Sequence, residues 1–249
     1  MKKSFTLALA AIAVLTVLTG CEKEDEDAIS MDVVNKGVTK KTGKDGKEYS
    51  VVDLGYGISV LWATCNIGAD SPEQYGYYFA WGETQTKSYY AIDNYAFCDG
   101  DISSFTKYTQ NNDKTKNGTP DRKKFLDKTD DAATQLMGEK WSVPQLDYYQ
   151  ELIIRCDYKC CKLNGTWGYL FTSKDNGNSI FFPLSGMRDP RDIMYSGERG
   201  YYWSNQLTTL TNDKTIEADV FDLLKTSSPT ANSYQAREIG LPIRPVYIE

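Results

Sequence analysis

Residues 177–205 read GNSIFFPLSGMRDPRDIMYSGERGYYWSN, and the change of texture along this stretch decides the fold class. Residues 179–184 form an apolar run with Pro183 near its end, and residues 200–203 set Tyr201, Tyr202 and Trp203 side by side. Runs of this length, bounded by Gly and Asp-Pro, predict core strands. Between them lie Arg188, Asp189, Arg191 and Asp192 within five positions, then Tyr195 and Arg199. A charged, aromatic loop held out by rigid strands is a common way to build a binding surface. Arg188, Asp189, Arg191, Asp192, Tyr195, Arg199, Tyr202 and Asn205 are therefore the expected ligand-binding residues. Arginine supplies paired donors for carboxylates and tyrosine a rigid stacking face, a combination suited to acidic glycans or a protein surface.

Upstream, residues 165–171 and 179–184 predict a hairpin around Asn176-Gly177. Two helical patterns precede it. In the first, Asp127 is the expected cap, Ala132, Ala133, Leu136 and Met137 make the apolar stripe, and Gly138 ends it. In the second, Ser142-x-x-Gln145 reads as a capping box, and Leu146, Tyr149, Leu152, Ile153 and Cys156 fall on one face. Residues 50–62 predict an opening strand pair, and Lys44-Asp45-Gly46-Lys47 a turn between short strands. Residues 75–81, YGYYFAW, predict a further strand, whereas the polar residues 82–124 read as a long surface excursion. Residues 216–224 are another strand candidate. The prolines of residues 239–247 favour an edge or barrel-end strand there. Helices in one block and strands in others predict an α+β fold, and no internal repeat is visible.

The chain has 249 residues. Its first twenty combine Lys2 and Lys3 with an apolar run over residues 5–18, too short to span a bilayer at about 20 residues. They end in Leu18-Thr19-Gly20-Cys21, which resembles the bacterial lipoprotein signal, with Cys21 as the lipid attachment site. The expected division is a signal peptide over 1–20, an acidic flexible tether over 21–33, and one domain over 34–249. Cleavage leaves 26 basic against 34 acidic residues, net −8. Such a balance argues against nucleic acid and against electrostatic membrane binding, so the N-terminal lipid is the expected membrane contact. The tether sequence EKEDED also resembles the acidic export signal of Bacteroidetes surface lipoproteins, implying an outer-membrane protein facing the cell exterior.

The absence of histidine excludes imidazole chemistry, His triads and His metal ligands. Five cysteines remain beside Cys21, an odd number that leaves at least one thiol over. Cys65 and Cys98, both in Gly/Asn-rich surroundings, are the pair expected to form a disulfide. Cys156-x-x-x-Cys160-Cys161 has no second cysteine pair at zinc-site spacing, and no metal or cofactor is expected.

Several collinear strings look like one family. They are Val52-Asp53-Leu54-Gly55, Trp62-Ala63-Thr64-Cys65-Asn66-Ile67-Gly68-Ala69, Tyr78-Phe79-Ala80-Trp81-Gly82-Glu83 and Asp130-Asp131-Ala132-Ala133. Trp141-Ser142-Val143-Pro144, Gly177-Asn178-Ser179-Ile180-Phe181-Phe182-Pro183, Gly200-Tyr201-Tyr202-Trp203-Ser204 and Ile243-Arg244-Pro245-Val246 continue the series. Together they resemble the Fibrobacter succinogenes major paralogous domain of exported Bacteroidetes lipoproteins, over residues 50–249. The resemblance implies a C-type-lectin-like, formylglycine-generating-enzyme-like fold: two helices on a mixed, mostly antiparallel sheet, with long loops. It also implies that Trp62, Trp81, Trp141 and Trp203 belong to the framework core.

The functional motifs of that fold carry over poorly. Trp203-Ser204-Asn205 is the nearest string to the calcium-binding Trp-Asn-Asp, and no Glu-Pro-Asn occurs, although Asp189, Asp192 and Glu198 offer oxygen ligands. No cysteine pair follows Cys161, so the enzymatic branch lacks its residues. The reading expected is a non-catalytic, lipid-anchored surface binder of a glycan or a cell-surface protein. The alternatives are a structural subunit such as a pilus-tip component, donating or accepting an edge strand, and hydrolysis by Asp189 with Glu198.

Overall fold

A computed structural model describes residues 26–55 and 60–249. Cys21, the signal segment and Ile58 lie outside the described residues. The elements are β1 (Ala28–Ile29), α1 (Met31–Asn35), β2 (Val38–Thr42), β3 (Glu48–Val52), β4 (Val60–Ala63), α2 (Ala132–Met137), β5 (Trp141–Ser142) and α3 (Leu146–Arg155). They continue with β6 (Cys156–Leu163), β7 (Thr166–Ser173), β8 (Ser179–Pro183), β9 (Met187–Arg188), β10 (Ile193–Met194), β11 (Arg199–Leu207), β12 (Glu217–Leu224), β13 (Thr230–Ala236) and β14 (Val246–Ile248). The class is α+β with mostly antiparallel sheets. Their orders are β2-β3-β4-β14-β5, β1-β6-β7-β8 and β11-β12-β13, with β9 and β10 as a separate pair. Among the described strands, β1 alone pairs in parallel, against β6.

The aromatic run at 200–203 is continuous because its strand is buried on both faces. Tyr201, Trp203 and Leu207 of β11 enter one core with Trp81, Trp141 and Ile243. Tyr202 points the other way, into a second core with Trp62, Tyr149, Phe182 and Phe221. Strands β3, β4 and β12 divide alike: Val51, Leu61 and Val220 face the first core, and Val52, Trp62 and Phe221 the second. The second core is ring-rich. Tyr149 of α3 stacks on Phe221 at 4.7 Å and 15°, and the Trp62 centroid lies 5.4 Å from Tyr149 and 5.8 Å from Phe182. Each such aromatic pair adds about 0.5–1.5 kcal/mol beyond the area it buries. The four framework tryptophans are all buried, as expected.

The hairpin of β7 and β8 forms in the expected place, with Gly168 opposite Pro183 and Phe171 opposite Ile180. Both helices form, but their caps differ from expectation. Asp131, rather than Asp127, caps α2, its carboxylate accepting from the Thr134 amide. The same carboxylate accepts from the Ser142 hydroxyl and the Val143 amide. Ser142 is thereby diverted from the capping box, and α3 starts after Gln145 with no side-chain cap.

Four further expectations are corrected. Residues 28–33 are not tether: β1 pairs with β6, and Ile29, Met31 and Val34 pack against Cys161, Leu163, Leu170 and Phe181. Residues 75–81 make only one bridge, Phe79 with Leu241, because the segment bonds to the turn region 237–241 instead of to a full strand. Residues 82–124 are more than a surface excursion, since Tyr90, Tyr95, Phe105 and Tyr108 are buried. Lastly, β14 is no edge. It is paired on both sides, with β4 and with β5.

Candidate functional site

The loop between β8 and β11 is built from its backbone outward. Pro183 ends β8, and Gly186 turns the chain at φ 67°, a left-handed conformation that glycine adopts without steric cost. A Cβ at Gly186 would collide with the carbonyl oxygen of Met194, so the returning arm of the loop lies directly on this residue. The β9–β10 pair sets Ile193 opposite Arg188 and Met194 opposite Met187. Asp189 closes the tip: its Oδ1 accepts from the amides of Asp192 at 3.0 Å and Arg191 at 2.8 Å. These bonds hold its carboxyl below the ordinary carboxylate range. Tyr195 sits at φ 61° with its side chain exposed, and its carbonyl accepts from the Glu198 and Arg199 amides. A non-glycine residue in this region costs about 1–3 kcal/mol and persists where its surroundings over-determine it.

The expected ligand residues separate into three groups. Arg188, Arg191 and Tyr195 stand on the outer surface of the loop. Arg188 is half-buried, with its guanidinium donating to the Ser88 carbonyl at 3.3 Å and lying 6.0 Å from the Tyr90 ring centroid. Arg191 and Tyr195 are exposed. Asp189, Asp192 and Arg199 are engaged in structure. Asp192 accepts from the Ile193 amide, and Arg199 is paired with Asp222, Nε to Oδ1 at 2.8 Å, while lying over Tyr201. That carboxylate raises the Arg199 pKa above its ordinary value. Tyr202 and Asn205 do not belong to the loop surface. Tyr202 is fully buried, donating to the Pro183 carbonyl at 2.6 Å. Asn205 lies six residues along β11 from Arg199, about 20 Å at the usual rise, with its amide bonded to the Pro144 carbonyl.

Trp167 is the residue of this surface that sequence reasoning missed. It is half-buried between two cations, with Lys225 Nζ 3.6 Å and Lys162 Nζ 4.7 Å from its ring. Its carbonyl accepts from the Leu184 amide, the Leu184 carbonyl accepts from Gly197, and the Lys225 amide donates to Glu198. These bonds bring the indole beside the loop. The available signal was that Trp167 is the one tryptophan of five outside the framework strings.

Elsewhere, a cavity of about 470 Å³ opens beneath the β2–β3 hairpin and contains none of the expected ligand residues. Tyr49 within it donates to Asp45 and is pushed up to about 12 by burial first and by that carboxylate second. Cys65 borders the same cavity, and burial raises its thiol. The expected Cys65–Cys98 bridge is absent: no disulfide forms among the described residues, and Cys98 donates to the Asp101 carbonyl. Among the described residues no group of three or more Cys, Asp or Glu is placed to hold a metal ion. No helix among them is long and apolar enough to cross a membrane. Compared with protein-family models, curated proteins and solved structures, the chain finds no match.

Proposed function

We propose that this protein is a lipid-anchored binding protein of the outer-membrane surface, with a C-type-lectin-like domain that recognises a glycan or a cell-surface protein without catalysis. The observation that carries the reading is the loop of residues 187–199. Asp189 and Asp192 are spent on its own turn, while Arg191 and Tyr195 project from a tip fixed to the core. An arginine and a tyrosine on a pre-ordered loop bind at low entropic cost. Trp167 with its two lysines extends the surface toward acidic or aromatic-stacking ligands. The hydrolytic alternative would need Asp189, whose Oδ1 already accepts from two loop amides. The assembly alternative loses its candidate strand, because β14 is paired on both sides.

Glycan-array binding of residues 26–249, with and without EDTA, tests the reading. Saturable binding that Arg191→Ala and Tyr195→Ala both abolish is the expected result. Binding that survives both substitutions sinks the loop as the site, and EDTA sensitivity assigns a cation to it.

A further inference from the structure

A second cavity, of about 340 Å³, lies between α2, β5 and the far end of β11. Trp141 and Asn205 both line it, and each carries a buried polar atom without a hydrogen-bond partner among the described residues: the Trp141 indole Nε1 and the Asn205 Oδ1. Trp141 is 1 % exposed. The other core indoles for which a bond is seen are satisfied internally, Trp81 donating to the Ser204 carbonyl and Trp203 to the Phe79 carbonyl. A buried N–H left unmade costs about 1–3 kcal/mol, so its persistence requires a reason. Crowding does not supply one. The Trp141 ring is held edge-on by Tyr49 at 5.4 Å and Tyr247 at 5.2 Å, which fixes the direction of the donor before anything binds.

We propose that this cavity binds a neutral, hydroxyl-rich group the size of one sugar ring. A hydroxyl both accepts and donates, so adjacent ring hydroxyls satisfy the indole N–H and the amide oxygen together. The walls carry charge of both signs, Lys128 and Lys140 against Asp131, Glu139 and Glu249. Both Asp131 oxygens accept from Thr134, Ser142 and Val143. Glu249 is paired with Lys41 at 2.8 Å, and the Lys140 ammonium lies 5.5 Å over the Tyr247 ring. Neither sign of charge therefore dominates the lining to select an ionic ligand. The volume is at the small end of ligand pockets, about 300–1,000 Å³, which admits one ring. This site is separate from the 187–199 loop and stands or falls without it.

The test uses the full chain labelled with ¹⁵N-tryptophan, titrated separately with D-galactose, D-mannose, N-acetyl-D-glucosamine, glycerol and sodium acetate. The Trp141 indole resonance, assigned through Trp141→Phe, should shift saturably with at least one sugar and stay fixed with glycerol and acetate. Asn205→Ala should weaken that sugar about three- to tenfold, the worth of one neutral hydrogen bond. Arg191→Ala should leave it unchanged, which separates this site from the loop. A fixed indole resonance with every sugar means a solvent pocket and overturns the proposal. Equal shifts with glycerol or acetate, or full affinity in Asn205→Ala, overturn it too. If Trp141→Phe fails to fold, Asn205→Ala alone decides.

Discussion

Arg237 is fully buried, and replacing it is the sharpest probe of what holds the 82–124 region down. Its guanidinium donates to four acceptors: Tyr95 Oη at 3.0 Å, the Thr215 carbonyl at 2.7 Å, the Tyr108 carbonyl at 3.2 Å and the Lys107 carbonyl at 3.0 Å. The rings of Trp81, Phe105, Tyr95 and Tyr108 surround it at 4.8–5.9 Å. Lysine in its place brings three donors on one nitrogen to four acceptors laid out for a planar fork. One or two buried acceptors are left unpaired, at about 1–3 kcal/mol each, so Arg237→Lys should destabilise by about 2–4 kcal/mol. For a chain of this size that lowers Tm by about 4–16 °C. Urea unfolding gives the magnitude, and limited proteolysis gives the location. Cleavage should appear first within residues 82–124, because two of the four acceptors belong to Lys107 and Tyr108. Unfolding within about 0.5 kcal/mol of the parent, the range of an ordinary surface substitution, would refute the reasoning, as would cleavage confined to other regions.

Three further outcomes follow from buried or strained groups. Burial raises the Asp219 pKa above the ordinary carboxylate range, so its contribution to stability is fully present below the unfolded pKa and lost as pH rises through the folded one. Asp219→Asn should therefore gain on the parent as pH rises through that window, and a constant difference in chemical-denaturation stability across pH 3–7 would contradict this. Gly186→Ala places a methyl against the Met194 carbonyl; hydrogen exchange should accelerate across residues 187–199, and unchanged exchange would show that the loop does not lean on Gly186. With no disulfide among the described residues, thiol titration of residues 26–249 under denaturing, non-reducing conditions should count five thiols. Natively, Cys156 and Cys161 should stay unreactive, since both are buried and burial pushes Cys161 up to about 11.

Much of the fold was legible because its strands are buried on both faces. Unbroken runs such as 179–183 and 200–203 announce themselves without any period, and Asn176-Gly177 marks the turn between β7 and β8. What escaped was structure made from polar sequence. β6, CDYKCCKL, and β13, TANSYQA, lie in sheets with exposed positions and carry weak strand signals. Residues 82–124 hide four buried rings among Asn, Asp and Lys, and are organised from outside by Arg237, a residue more than a hundred positions away. Cap assignment failed for a related reason: Asp131 serves α2 and the end of β5 together, and that second partner is a tertiary fact.

The site was legible where local chemistry fixes it and misread where strand parity does. Asp189-Pro190-Arg191-Asp192 is a turn sequence, and Asp side chains in such turns bond to backbone two residues on, so the diversion of Asp189 from any ligand was readable. Tyr202 carried its own contradiction: a residue inside a run read as a two-sided core strand has no free face to offer. Arg199 could not be resolved from sequence, since its carboxylate partner Asp222 arrives only with the β11–β12 register. Trp167 shows the converse. It shares a strand face with Tyr169 and Phe171, which are buried, yet it stands one position inside the start of β7, after the Asn164-Gly165 turn, where cover runs out. Its partial exposure is set by where the second core ends, and of the two lysines beside it Lys162 comes from the neighbouring β6 and Lys225 from just past the end of β12 in another sheet. The proposed binding surface, assembled in this way from a loop tip and a strand end, has no contiguous motif. Its residues become a set only when Leu184 bonds to Trp167 and Gly197 together.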